Sequence, residues 1–189
     1  GGEEVILAVI RDITERKQAE EELRKSYEKL KKTVEGAIET ISTMAETRDP
    51  YTAGHQRRVA KLASAIAEEM NLPPKKVETI HVAGILHDIG KIGVPDAILN
   101  KQGVLTASES EIMKRHPEAG ARMVDSIPFL RPAIPYILYH HERHDGKGYP
   151  RGLAGNDIPL PGRLLAVVDT IDAITSDRPY RKGRCLETA

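Results

Sequence analysis

The sequence predicts an all-α protein, a helical bundle led in by a long helical linker of coiled-coil type. Three observations point there. From residue 50 onward, apolar residues recur at helical spacing in segment after segment, with turn signals between them. No strand pattern appears after residue 10, and the stretch before residue 48 carries a heptad repeat.

The elements follow in order. Residues 4–10, "EVILAVI", form a β-branched run that reads as a strand, although a lone strand has nothing to pair with. "RDITERKQAEEELRKSYEKL" then opens a helix that continues without a breaker to about Arg48. Leu23, Leu30, Ala37 and Met44 are spaced by seven, as are Tyr27, Val34 and Ile41, so the two sets alternate as a and d positions flanked by Glu and Lys. Such a stripe either packs on its own domain or joins a second copy. The heptad spacing favours a parallel homodimer, with Gly36 a weak point in its middle.

"HQRRVAKLASAIAEEM" has helical periodicity. "PPKKVETIHVAGILHDIGK" opens with Pro73 and Pro74, suited to a helix start, and should stop at Gly90. "TASESEIMKRH" opens with a capping box, Thr106 with Glu109 three residues on. A further helix should run from Pro117 to about Ile127, followed by "PAIPYILYHHE" and "PGRLLAVVDTIDAIT". The glycine-rich stretch 145–156 lies between the last two.

Composition narrows the function classes. Lys+Arg and Asp+Glu are equal at 28 each, so no global field draws DNA, RNA or an anionic membrane. An anionic ligand needs a local basic cluster. One cysteine, Cys185, excludes a disulfide framework and a cysteine-zinc site, and fits a reducing compartment. With no apolar run of spanning length and no signal-peptide layout, the chain is expected to be cytoplasmic, alone or as the inner part of a longer receptor.

Polar residues stand where helix patterns call for apolar ones. His87 and Asp88 end a buried-looking run, His140 and His141 end another, and Asp169 interrupts "LLAVVDTIDAI". His116 closes one helical segment and His55 opens another. An ionised aspartate on an apolar face is costly unless compensated, and a divalent metal compensates carboxylate and imidazole together. Taken singly, each is an ordinary buried or surface pair. Together, five histidines and two aspartates at the ends of apolar helices are too many for one tetrahedral zinc and suit two ions of higher coordination, iron or manganese. His81 and His144 have no carboxylate partner in the pattern and are left out of the set.

The order His55, His87-Asp88, His116, His140-His141, Asp169 resembles the metal-dependent HD superfamily. "HHERHDGKGYPRGLAGNDIPLPGRLLAVVDTIDAITSDRPYRKG" is similar to its HD-GYP branch, the cyclic di-GMP phosphodiesterases, over residues 45 to about 183. The first residues, with "DITERK", resemble the exit strand of a PAS sensor domain. The division implied is a PAS remnant over 1–15, a signalling coiled-coil helix over 16–45 and an HD-GYP domain over 46–189, cut short at its C-terminus.

The resemblance implies that His55, His87, Asp88 and Asp169 hold one metal, and that Asp88 bridges to a second held by His116, His140 and His141. It implies hydrolysis of cyclic di-GMP to pGpG, with a second cut to GMP left open, by a hydroxide bridging the two metals. Lys91 would touch the scissile phosphate, Asp88 would serve catalysis as well as binding, and Gly148, Tyr149 and Pro150 would line the cleft. Arg178 and Arg181 would meet substrate phosphates or guanine edges, and a GGDEF-domain protein would be a partner. Tyr51 stands where some members carry a glutamate for a third metal, so two ions are expected; Glu46, the nearest upstream carboxylate, is poorly placed to substitute. His144 replaces a usual aromatic, and no substrate role is carried onto it. Rival readings are a related HD nucleotide phosphohydrolase, a preference for a hybrid cyclic dinucleotide, or a non-catalytic sensor or docking module.

Overall fold

The computed structural model describes residues 12–48, 54–176 and 182–183. The strand expected over 4–10, and Tyr51, Arg178 and Arg181, lie outside the described residues. The chain divides into two compact units, Gly1–Ala37 and Ile38–Ala189. Every regular element among the described residues is helical, as expected; an isolated bridge between Asp145 and Ala154 ties the glycine-rich loop.

Helix α1 (Thr14–Arg48) starts in the first unit, where its polar faces are laced by pairs one turn apart, Arg16 with Glu20 and Arg24 with Glu28. Leu23, Tyr27 and Leu30 of the heptad stripe are exposed there. The helix residues from Ile38 onward belong to the second unit. Ile38, Ser42 and Ala45, spaced along one face, are buried against it. Ile41 and Met44 of the heptad stripe remain 44% and 61% exposed, so the domain core does not consume that stripe.

The second unit is built around α2 (His55–Glu69) and α3 (Pro74–Leu86), which pack on one another. Small residues make the close crossing: Ala60, Ala63 and Ala67 of α2 are fully buried, as are Ile80 and Ala83 of α3. Pro74 supplies the preset φ at the first position of α3. The sequence expectation carried this helix to Gly90. It stops at Leu86 instead, and the chain tightens into a 3-10 turn, Ile89–Gly93. Asp88, at φ −96 and ψ 5, makes the transition, and the His87 ring bonds the Gly84 carbonyl that the helix leaves open.

The short helices α4 (Asp96–Leu99) and α5 (Ala107–Met113) follow. The capping box is present: Thr106 Oγ1 accepts from the Glu109 amide, and Glu109 accepts from the Thr106 amide at 2.7 Å. Helix α6 (His116–Asp125) packs on the 3-10 turn and on α7 (Ile134–Tyr139). Helix α8 (Leu160–Thr175) closes the bundle against α2 and α7, with Leu165 and Val168 fully buried. Complete burial of a side chain such as Leu165 contributes roughly 1.5–3 kcal/mol.

Candidate metal centre

Helix ends converge at one place in this bundle. His55 is the first residue of α2, His87 caps α3 and Asp88 follows it. His116 is the first residue of α6, while His140 caps α7 and His141 follows. Asp169 comes from the body of α8. His55, His87, Asp88, His116 and His140 are all buried.

The side chains form two sets that share one carboxylate. Asp88, His116, His140 and His141 offer ligand atoms within 4.8 Å of one another, and so do His55, His87 and Asp88. Asp88 Oδ1 lies 3.3 Å from His116 Nε2 and 3.9 Å from His140 Nε2, while its Oδ2 lies 3.4 Å from His87 Nε2. Asp169 Oδ1 adds a second carboxylate to the His55 side, 3.1 Å from Nε2.

What orients the imidazoles is local. His87, His116 and His140 each place Nδ1 on the carbonyl three residues earlier, Gly84, Met113 and Ile137, at 2.9, 2.9 and 2.7 Å. These carbonyls lie at the C-terminal ends of α3, α5 and α7, where helices leave acceptors unpaired. A carbonyl only accepts, so Nδ1 carries a proton, and Nε2 is the nitrogen left to offer a lone pair to the centre once unprotonated. That is the tautomer a metal ligand needs.

The electrostatics ask for positive charge. Burial opposes a charged His87, but the Asp88 and Asp169 carboxylates overcome it and raise its pKa to about 9. Burial would raise Asp88, yet Lys91, His87 and His116 hold it well below the usual carboxylate range. Burial and the neighbouring imidazoles push His140 far down, and burial brings His141 to about 4. The centre thus sets fixed anions beside two neutral imidazoles, His140 and His141, while His87 is drawn toward its protonated form.

The residues fit a metal. His87 Nε2 is buried with no hydrogen-bond partner, although it faces the cluster. A buried ring nitrogen left without a partner costs free energy unless something binds it. The donor set is all nitrogen and oxygen, which suits divalent first-row ions.

Other expected residues fall around the centre. Lys91 Nζ donates to Asp88 Oδ2 at 2.7 Å from the 3-10 turn. Tyr149 stacks on His141 with ring centroids 4.7 Å apart, and burial raises its phenol pKa. Gly148 allows this approach, since a Cβ there would lie 2.4 Å from the Arg143 nitrogen. Pro150 follows a cis peptide bond in the same loop. His81 meets Ser64 elsewhere, and the side chain of His144 is exposed.

Two contributors escaped the sequence reading. Asp172, one turn beyond Asp169, accepts from His55 Nδ1 at 2.6 Å. Its signal was the three-residue spacing that puts both aspartates on one helix face. Glu142, buried behind His140-His141, accepts the Arg151 and Leu153 amides at 2.6 and 2.9 Å and so folds the glycine-rich loop back over the centre. A carboxylate directly after the histidine pair was the only hint.

Comparison with known proteins agrees with this geometry. The HD domain family model matches residues 39–189. A cyclic di-GMP phosphodiesterase of Thermotoga maritima is 46% identical over 154 residues, 80% of this chain and 42% of that protein. One from Pseudomonas aeruginosa is 50% identical over 139 residues, covering 73% of this chain and 34% of the relative. A 3'3'-cGAMP-specific phosphodiesterase of Vibrio cholerae is 35% identical over 146 residues, 77% of this chain and 34% of that protein. Bd1817, an HDG"Y"P protein from Bdellovibrio bacteriovorus, superposes with a TM-score of 0.54 at 26% identity, over 64% of this chain and 40% of that one. The chain thus spans less than half the length of these relatives. Its His87-Asp88 pair sits where both ligand sets meet, and the chain belongs to the HD domain family.

Proposed function

We propose that this chain hydrolyses the 3'-5' phosphodiester of cyclic di-GMP to linear pGpG, with a second cut to GMP left open. The observation that carries the proposal is Asp88, whose two oxygens face two different sets of imidazoles. The names of the Thermotoga and Pseudomonas relatives supply the substrate class.

In this reading His55, His87, Asp88 and Asp169 hold one divalent ion, and Asp88, His116, His140 and His141 hold the other, iron or manganese. Such a pair, when bound, supplies an activated water and neutralises charge on the attacked phosphate. The chain's own groups do the rest. Lys91 pairs with Asp88 at 2.7 Å and is 22% exposed, so its ammonium can turn from Asp88 toward a phosphate at the rim. There it stabilises negative charge developing on the leaving 3' oxygen. Tyr149, stacked on His141, walls the centre with an uncharged ring and limits the entry of bulk water. Gly148 and Pro150 shape the cleft edge beside it. Arg178 and Arg181 are assigned to the second phosphate or a guanine edge, for which the planar guanidinium is suited.

The remaining expectations belong to this reading: a PAS remnant over 1–15, a signalling helix over 16–45, the catalytic domain over 46–189 and a cytoplasmic setting. Among the described residues no helix is long and apolar enough to cross a membrane. A parallel homodimer through α1 is supported by its exposed stripe of Leu23, Tyr27, Leu30, Ile41 and Met44. A GGDEF-domain protein is proposed as a partner of the Gly148–Pro150 loop.

The test is metal content per chain on anaerobically purified protein, then turnover of cyclic di-GMP and of 3'3'-cGAMP on the same sample. Two transition-metal ions with pGpG appearing supports the proposal. Faster turnover of the hybrid nucleotide would reassign the substrate. No metal after reconstitution would leave a binding module.

A further inference from the structure

The segment that carries His87, Asp88 and Lys91 is gripped from outside by the end of α1. Arg48, the last residue of that helix, donates through Nη1 to the Ile92 carbonyl and through Nη2 to the Val94 carbonyl at 3.1 Å. The same Nη2 meets Asp96 Oδ1 at 2.7 Å. The Arg48 carbonyl in turn accepts from Asn100 Nδ2 at 3.2 Å. Six residues earlier, Ser42 Oγ is buried between the Gln56 side-chain amide and the Ile85 carbonyl, 3.3 Å away. Gln56 adjoins His55, and Ile85 lies two residues before His87.

These contacts bracket the catalytic segment. Two bonds at the edges of its 3-10 turn involve Lys91: the Lys91 amide donates to Asp88 O at 2.9 Å, and the Val94 amide donates to Lys91 O at 2.9 Å. Short 3-10 turns have poor hydrogen-bond geometry and need outside support. The guanidinium provides it at two carbonyls just past the lysine, those of Ile92 and Val94. A planar fork suits that task, because one group holds two acceptors at a fixed separation. None of the residues that make this grip is an expected metal ligand or substrate contact.

We propose that Arg48 is a positioning residue for Lys91, with Ser42 as its companion at the start of the segment. The end of α1 thereby becomes part of the catalytic scaffold, so that a change in the pose of that helix end is felt at Lys91. The proposal rests on the phosphodiesterase reading for its kinetic consequence but not for its structural one.

The experiment compares metal-loaded wild type with Arg48→Ala, Arg48→Lys and Asp96→Ala. It reads amide exchange by mass spectrometry, metal content, kcat and KM. Arg48→Ala should speed exchange over 89–96 by about tenfold while α2 and α6 stay protected. It should lower kcat by about tenfold to a hundredfold, with KM and metal content held, because geometry rather than binding is lost. Arg48→Lys should recover part of both effects, and Asp96→Ala, which leaves both carbonyl contacts, should change little. Unchanged exchange over 89–96 would overturn the proposal. An even rise across α2 and α6 would also overturn it, by showing a role in global stability alone. If wild type turns over no cyclic dinucleotide, the phosphodiesterase reading fails, and the exchange pattern alone decides the role of Arg48.

Discussion

His55 donates its Nδ1 proton to the buried carboxylate of Asp172 across 2.6 Å, and so turns Nε2 toward Asp169, 3.1 Å away. Arg58 clasps the same carboxylate through Nε at 2.6 Å and Nη2 at 3.0 Å. The other anchored imidazoles lean on a neutral carbonyl; His55 leans on a charged group, which fixes its tautomer and ring orientation. Asp172→Asn keeps the shape and removes the charge. It should weaken metal binding on the His55 side by about 10- to 100-fold, with the opposite set still loaded. Metal titration followed at each ion would show this; equal loss at both positions would contradict it.

Asp88 and Lys91 should separate metal binding from chemistry. Asp88→Ala removes the carboxylate common to both sets, so metal content and turnover should be lost together. Lys91→Ala should leave both ions in place and lower kcat by about 10²- to 10³-fold, the usual effect of losing one donor to developing charge. Metal analysis beside steady-state kinetics distinguishes the two.

Metal binding should release a countable proton. Without metal, His87 has a pKa of about 9 and is protonated at pH 7, whereas His141, at about 4, is already neutral, and His140 lies lower than its ordinary value. A ligating imidazole must be deprotonated, so loading at pH 7 should expel about one proton from these three residues. Release should fade as pH rises through about 9. Calorimetry in buffers of different ionisation enthalpy measures the number.

Gly90 should not tolerate a side chain. A Cβ there would lie 1.9 Å from the His116 carbonyl oxygen and 2.5 Å from the Gly120 nitrogen, both backbone atoms of α6. Gly90→Ala must push α6 outward and carry His116 away from Asp88. Overpacking of this kind costs about 1–3 kcal/mol or more. Thermal unfolding should show a lowered midpoint, and metal analysis should show selective loss at the His116 set.

The heptad stripe on α1 has its own test. Leu30→Asp with Val34→Asp places charge at adjacent a and d positions without touching the buried face of Ile38, Ser42 and Ala45. Sedimentation equilibrium should show a dimer for wild type and a monomer for the double variant. A monomeric wild type would remove the coiled coil from the proposal.

Much of this protein was legible in one dimension. Apolar spacing located every long helix of the second unit, because burial of one face imposes its period on the residues that make it. The capping box at Thr106 and Glu109 was readable for a similar reason, since its bonds close within one turn. The ligand residues stood out because histidine and aspartate occupied positions that periodicity reserved for apolar groups. Even the Nδ1 anchors of His87, His116 and His140 are local, each reaching back three residues.

Only the tertiary structure decided which of these residues meet. It ended α3 at Leu86 and set Asp88 in a tightened turn, where one carboxylate faces both sets. It placed Asp172 behind His55, 117 positions away, and brought Arg48 onto the carbonyls that follow Lys91. Periodicity records that a face is buried and not what buries it, because the hydrophobic effect has no direction. Directional contacts between distant helices arise only once their crossings are set by packing.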